Sequence, residues 1–350
     1  MTEDITGRII IEMKKDYNRS GLLVVSLDGK EQFEYAPINT KSNHIHRNEN
    51  KFLREREALA QFDRITQGHH TFNFNFTQNG GSKRPPTINF QQDIKGTGVI
   101  DIQCSYKLGV AIYDTNSGID KIMKKEHSVI IRDHSKKVGR KNFIEVGQSY
   151  VQSCLGSLGS GGISSFQIKC EQDHLQNSEK IKILNKIDNT KSKQRISRVQ
   201  VKLIRQIRLH TGNISTSSAY DTLLSQTIWK KSYDGIQPKT RDRDFNRLYE
   251  INLDEIFEKE RESSLKFREY TEDNDISDAN NLISIIPSSF GRIFMVQYSV
   301  QVSLLHQSFF SKKTCLDIDV NIELSDKDFE NEEIRLKKYR NKSYRFNNGP

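Results

Sequence analysis

Apolar and polar residues alternate with period two along most of this chain, which is the pattern of a β-strand with one buried and one solvated face. The clearest run is His70–Phe76, where Phe72, Phe74 and Phe76 share one face. The same alternation recurs in four later segments: Ile100–Tyr106, Val199–Leu203, Val296–Leu304 and Ile318–Leu324. Such strands form antiparallel sheets that pack face to face, so the pattern predicts β-sandwiches.

Shorter apolar runs predict further strands at Arg8–Met13, Leu22–Leu27, Ser128–Arg132, Ile163–Cys170 and Lys180–Ile187. The strands do not alternate with regular helices, which argues against an α/β nucleotide-binding fold. We therefore predict an all-β chain that folds as two tandem antiparallel β-sandwich domains.

Two segments have the pattern of helices. Asn50–Arg64 carries apolar residues among charged helix formers and predicts one short amphipathic helix in the first domain. Asp242–Tyr270 is highly charged with a sparse apolar stripe, and predicts a helical insertion, over residues 241–281, in the second domain.

The composition agrees with thin sheets that have one wet face each, because only 34% of the 350 residues are hydrophobic.

No stretch approaches the roughly 18 apolar residues that a transmembrane helix needs, and the N-terminus lacks the basic region of a signal peptide. The four cysteines form no CxxC pair, which favours reduced thiols. These features predict a cytoplasmic protein, peripheral at the plasma membrane or endosomes if it meets a membrane.

The first half of the chain contains an ordered series of motifs. The predicted helix leads into Gly68–Phe76, a Gly-x-His segment followed by a Phe-rich strand, and this arrangement resembles the first domain of the arrestin-like superfamily. Pro85-Pro86-Thr87 stands where the family has a Pro-Pro-Ser turn, and Gly98–Tyr106 resembles the strand that follows. Ser128–Arg132 resembles the last strand of the first domain.

The second half continues the resemblance in the same order. Gly162–Cys170 resembles the opening strand, Ile187–Thr190 a V-x-N-x-S/T segment, and Ile286–Phe290 the late Pro-containing turn. The resemblance covers residues 7–325 and implies two immunoglobulin-like, arrestin-type sandwiches over residues 1–140 and 141–325, followed by a charged tail, 326–350. Because Gly7–Glu12 resembles the family's third strand, we expect the two opening strands to be missing, and the true start of the protein is left open.

The resemblance also bears on one arginine. Arg132 matches by position a strand arginine that classical arrestins bury in an interdomain polar core, but the acidic partner has no counterpart here. Arg132 is therefore either a polar-core residue or a solvated strand arginine.

Catalytic and metal chemistry lack a motif. The nine histidines show no zinc-ligand spacing, and no GxSxG element marks a hydrolase. We expect no catalysis, no metal and no cofactor.

The net charge of +9 is the remaining functional signal, because basic residues cluster at the predicted domain junction, on one long strand, in a hairpin turn and in the tail. The long strand carries Arg198, Lys202, Arg205 and Arg208, of which the even-numbered members share a face opposite Val199, Val201 and Leu203. The candidate contacts to anionic lipid or phosphate are Lys124, Lys125, Lys136, Lys137, Arg140, Lys141, Lys312, Lys313, Lys337, Lys338 and Arg340.

The resemblance implies a non-enzymatic cytosolic adaptor that binds cytoplasmic segments of membrane proteins, or coat and sorting partners, with an anionic membrane or inositol phosphate as a second partner. One alternative is a structural or retromer-type subunit of a stable complex. Another is a basic nucleic-acid-binding protein, although a reading helix and an RNP-type strand are both missing.

Overall fold

The computed structural model describes residues 4–37, 46–77, 84–94, 98–115, 121–131, 139–151, 162–210, 220–260, 286–307 and 314–325. They divide into two compact units. Unit 1 holds the described residues of Met1–Asp133 together with Gly291–Ile293, and unit 2 holds the others. The predicted all-β class is confirmed, since antiparallel strands make up most of both units.

Unit 1 contains seven of the described strands, in two sheets. A pair is formed by β1 and β4, and a larger sheet has the order β3-β2-β6-β5, with β7 also paired to β6. The strands are β1 (Ile5–Met13), β2 (Gly21–Pro37), β3 (His46–Phe62), β4 (Gly68–Phe76), β5 (Ile88–Ile94), β6 (Gly98–Asp114) and β7 (Lys121–Val129).

The alternation read from the sequence builds the core of unit 1. Phe74 and Phe76 of β4 and Ile11 of β1 are buried in one cluster with Leu23 and Val25 of β2. Both sheets of the unit therefore contribute side chains to the same core, and this burial is its main source of stability.

The helix predicted over Asn50–Arg64 is wrong, because residues 46–62 form strand β3 and none of the described residues of unit 1 is helical. β3 pairs with β2 along its whole length, from Tyr35 opposite His46 to Gly21 opposite Phe62. A ladder of backbone hydrogen bonds along the strand, with two register shifts, outweighs the helix propensity of the charged residues, which is worth only tenths of a kcal/mol per residue.

The strand predicted over Ser128–Arg132 is displaced. β7 covers Lys121–Val129 and pairs with β6, while Ile130 and Ile131 lie beyond its end. Ile131 instead exchanges hydrogen bonds with Thr87: its carbonyl accepts from the Thr87 backbone N–H at 2.8 Å, and its N–H donates to the Thr87 hydroxyl at 2.8 Å. Arg132 lies outside the described residues.

Unit 2 contains ten described strands and one described helix. One sheet has the order β14-β11-β9-β8, and the other β10-β17-β16-β12-β13 with β15 also paired to β16. The elements are β8 (Lys141–Val151), β9 (Gly162–Gln172), β10 (His174–Gln176), β11 (Lys180–Ser192), β12 (Ile196–His210), β13 (Tyr220–Ile236), β14 (Arg247–Asn252), α1 (253–260), β15 (Ser289–Phe290), β16 (Phe294–His306) and β17 (Thr314–Glu323).

The predicted charged insertion over 241–281 is partly helical. Residues 247–252 form β14, which pairs with β11, and α1 follows directly. Leu253 and Phe257 of α1 are fully buried, and the Phe257 ring meets the Tyr298 ring edge-on at 6.1 Å between centroids. The described part of the insertion is thus packed into unit 2. Within the described ranges, no helix has the length and hydropathy to cross a membrane.

Candidate functional site

The predicted contact residues fall into three groups. Lys124 and Lys125 are exposed on β7 of unit 1, and Arg140 and Lys141 are exposed at the start of β8 in unit 2. The other predicted contacts lie outside the described residues: Lys136, Lys137, Lys312, Lys313, Lys337, Lys338 and Arg340. The polar-core candidate, Arg132, also lies outside them.

Two of the described contact residues are neutralised locally. The Lys124 ammonium lies 2.6 Å from a Glu126 carboxylate oxygen, and this hydrogen bond raises the pKa of Lys124 and lowers that of Glu126. Arg140 lies 2.9 Å from Asp173 and 3.3 Å from Glu145, and its guanidinium stacks 4.0 Å from the Phe143 ring centroid. Their charges are therefore partly compensated within the chain.

Arg140 also borders a cleft of about 390 Å³ in unit 2. The cleft opens where β15 and β17 take successive positions beside β16, and its wall includes the carboxylates of Asp173 and Asp319. His174 Nε2 lies 2.9 Å from a Glu323 carboxylate oxygen, and its Nδ1 lies 2.9 Å from the Asn321 side-chain amide nitrogen. With two carboxylates against one guanidinium, this cleft does not complement an anion.

A different basic surface lies at one end of unit 2, where two turns meet. One turn joins β11 to β12, and the other follows β13 at residues 237–240. The Lys239 N–H donates to the Asn189 carbonyl at 3.0 Å, and the Asn189 N–H donates to the Thr240 carbonyl at 2.9 Å. We call the exposed cations of these turns and of the residues next to them the basic turn cluster: Lys191, Lys193, Arg195, Lys239 and Arg241.

The basic turn cluster has little internal compensation. Among the described residues, no carboxylate lies within 4.0 Å of its nitrogens. Two acids lie close to the cluster. The pKa of Asp188 is lowered mainly by the Thr190 hydroxyl and further by the charges of Arg241 and Lys191, and the buried Asp242 is paired with Arg247 at 2.8 Å. A low-pKa carboxylate beside five cations leaves a surface that attracts anions.

Buried polar side chains form hydrogen bonds to the backbone of both turns. The Asn189 side-chain amide donates to the carbonyl of Gln194 at 2.9 Å and to that of Gln237 at 3.0 Å. Its oxygen accepts from the Ser164 hydroxyl at 2.6 Å, and that hydroxyl lies 2.9 Å from His306 Nε2. This series of hydrogen bonds joins β9 and β11 of one sheet to β16 of the other.

The Ser164–His306 pair has the chemistry of a nucleophile and a base, but its burial is unsuited to catalysis. Ser164 is wholly inaccessible to solvent and His306 is 8% exposed. A substrate carbonyl would need to reach the hydroxyl oxygen at about 3 Å.

The described residues also contain no group of three side chains able to hold a metal ion. The three described cysteines are free thiols, and burial raises the pKa of Cys170 to about 11.

The basic turn cluster was not predicted from the sequence. The lysine and arginine density of residues 191–195 between two predicted strands was the available signal. Its partner turn is far along the chain, and only the Asn189 hydrogen bonds show that the two are adjacent. A scan against protein-family models and a search of curated proteins found no match to this chain.

Proposed function

We propose that this chain is an arrestin-like, non-enzymatic adaptor that works at anionic surfaces of the cytoplasm and binds the cytoplasmic segments of membrane proteins or sorting partners. The observation that carries the proposal is the basic turn cluster, five exposed cations held at one end of unit 2 by hydrogen bonds between two turns. Each cation near a charged membrane adds roughly 1 kcal/mol of attraction.

The arrestin-type sandwich is supported by where the family-like motifs lie. Phe72, Phe74 and Phe76 stand on β4 opposite β1. The Pro85 carbonyl accepts a 2.6 Å hydrogen bond from the buried Tyr106 hydroxyl, so the Pro-Pro-Thr segment is anchored to β6. In each unit two sheets contribute to a common interior, as a sandwich requires.

Cosedimentation with vesicles tests the anionic contact. The variant carries Lys191→Gln, Lys193→Gln and Arg195→Gln, and its matched control carries Lys14→Gln, Lys15→Gln and Arg19→Gln, three exposed cations of unit 1. Binding to vesicles of phosphatidylserine and phosphatidylcholine should fall by about two orders of magnitude in the first variant, at roughly 1 kcal/mol per cation, and little in the control.

Two results would contradict this proposal. One is wild-type binding that is equal on pure phosphatidylcholine and on phosphatidylserine vesicles. The other is a turn variant that loses RNA binding and keeps vesicle binding. This result would favour a nucleic-acid partner, whose binding should weaken steeply as the salt concentration rises.

A second candidate, a fixed subunit of a stable complex, is favoured by the sheet edges. β3 and β13 are each 17 residues long and stand at the ends of their described sheet orders. A long edge strand offers backbone groups to a partner strand. Purification from cells with a partner at constant stoichiometry in high salt would support this candidate over the solitary adaptor.

A further inference from the structure

The polar chain from His306 to the two turns has one consistent proton arrangement. Asn189 uses its amide nitrogen for the Gln194 and Gln237 carbonyls, so its oxygen must accept the Ser164 hydroxyl proton. The Ser164 oxygen is then free to accept from His306, and His306 Nε2 therefore carries a proton and donates at 2.9 Å.

This arrangement leaves His306 Nδ1 as the unprotonated nitrogen of a neutral ring. Nδ1 is buried and has no hydrogen-bond partner among the described residues. An unpaired acceptor is tolerated there, but a second proton would create a buried cation whose N–H has no acceptor. Burial accordingly lowers the pKa of His306.

The charged groups on the surrounding elements would not help to hold such a cation. Near Asn189, β11 and the turn after it carry Lys186, Asp188, Lys191, Lys193 and Arg195, and the segment after β13 carries Lys239, Arg241 and Asp242. The Asp188 carboxylate accepts from the Thr190 hydroxyl, and the buried Asp242 carboxylate accepts from the Ile187 N–H at 3.0 Å and from Arg247 at 2.8 Å, so both acids already have partners. On the strands beyond, the exposed Asp234 of β13 stands opposite Arg198 of β12. The elements β9 and β16 carry no charged residue within two positions of Ser164 or His306.

We propose that His306, Ser164 and Asn189 form a pH-sensitive clasp that holds the two sheets of unit 2 together and fixes the basic turns at neutral pH. Protonation of His306 Nδ1 on mild acidification places an unpaired donor and a charge in the interior, so the ring leaves its site and Ser164 loses its partner. Asn189 is then free to reorient, and the turns at 193–195 and 237–240 lose their shared support.

The sign of the pH dependence follows from linkage. The unfolded chain binds a proton at His306 below about pH 6.5, while the folded unit does so only at lower pH. Stability is therefore lost as pH falls through that window, and the unfolding equilibrium constant of unit 2 rises by up to about tenfold per pH unit.

The test compares wild-type chain with His306→Gln, whose side-chain amide can donate to Ser164 without titrating. Trp229, the only tryptophan in the sequence, lies on β13 and reports on the unfolding of unit 2. Between about pH 7 and pH 5, the unfolding midpoint should fall in the wild type and in the control His210→Gln, and stay flatter in His306→Gln. Hydrogen exchange at residues 189–195 and 237–241, corrected for intrinsic rates, should show the same contrast.

Two results would overturn the clasp. One is an identical pH profile in wild type and His306→Gln. The other, which needs no variant and so survives a failure of His306→Gln to fold, is an NMR titration of the wild type in which His306 has a pKa at or above its ordinary value. Neither result depends on vesicle binding, so the clasp and the proposed adaptor function can fail separately.

Discussion

Arg205 is a fully buried cation on β12, and its position follows from strand parity. It shares the inward face with Val199, Val201 and Leu203, whereas Arg198 and Lys202 point to the other face. Inside unit 2, its guanidinium donates to Glu260 at the end of α1 at 3.0 Å and to Gln226 of β13 at 2.8 Å. Arg205, which the sequence grouped with the basic residues of one long strand, therefore links α1 to the sheet through its hydrogen bonds.

Replacement of Arg205 by alanine should strongly destabilise unit 2. Breaking one side of a buried ion pair typically costs about 3–5 kcal/mol, because the remaining charge loses its partner. The exposed Arg198→Ala on the same strand should change stability by less than about 0.5 kcal/mol. Urea unfolding followed by Trp229 fluorescence measures both. Equal, small effects in the two variants would mean that the Arg205–Glu260 contact contributes no stability.

At the level of the element, β3 is where local pattern and tertiary pairing disagree. Phe52, Leu53, Leu59 and Phe62 are spaced as on one face of a helix. In the fold they lie along a strand that contains one register shift near Leu23 and another near Gly29 of β2. Each shift moves the apolar positions out of strict alternation, so a period-two pattern cannot be read from the sequence alone.

A disulfide can report the register of β3. Asp28 and Arg54 are exposed and directly opposite each other, so their α-carbons should lie within the range that a disulfide bridges. With Cys154 and Cys315 replaced by serine, Asp28→Cys with Arg54→Cys should cross-link on mild oxidation, as a shift on a non-reducing gel. The control pair Asp28→Cys with Ala58→Cys lies about 13 Å further along the strand and should not.

The helical alternative gives a different result for the same two pairs. Residues 54 and 58 would be stacked one turn apart on a helix, roughly 6 Å from each other, and the two pairs would cross-link to similar extents. Similar yields would therefore contradict the strand.

For the whole molecule, the sequence predicted the class of fold better than the site. The strict alternation of β4 and the inner face of β16 could be read directly, because each has one dry face. β13 was missed because bulges opposite Leu203 and Ile207 interrupt its pattern. The clasp was also missed, since Ser164 and His306 are 142 residues apart and only the packing of two sheets brings them together.

The two units should respond to acid in opposite directions. In unit 1, the inaccessible Glu31 carboxylate accepts hydrogen bonds from the backbone N–H groups of Arg292 and Ile293, and burial nevertheless raises its pKa. At Glu31 the folded unit 1 therefore binds more protons than the unfolded chain as pH falls toward about 4.5, and protonation of this carboxylate adds stability in that window. Unit 2 loses stability below about pH 6.5 because the pKa of His306 is lowered.

Calorimetry of the whole chain between about pH 7 and pH 4.5 checks this opposition. The transition that coincides with the Trp229 signal belongs to unit 2 and should move to lower temperature on acidification, while the transition of unit 1 moves to higher temperature. Glu31→Gln should remove most of the upward shift of unit 1 and leave unit 2 unchanged, because the amide cannot titrate. Parallel downward shifts in both transitions, unchanged in the variant, would show that Glu31 does not set the acid response of unit 1.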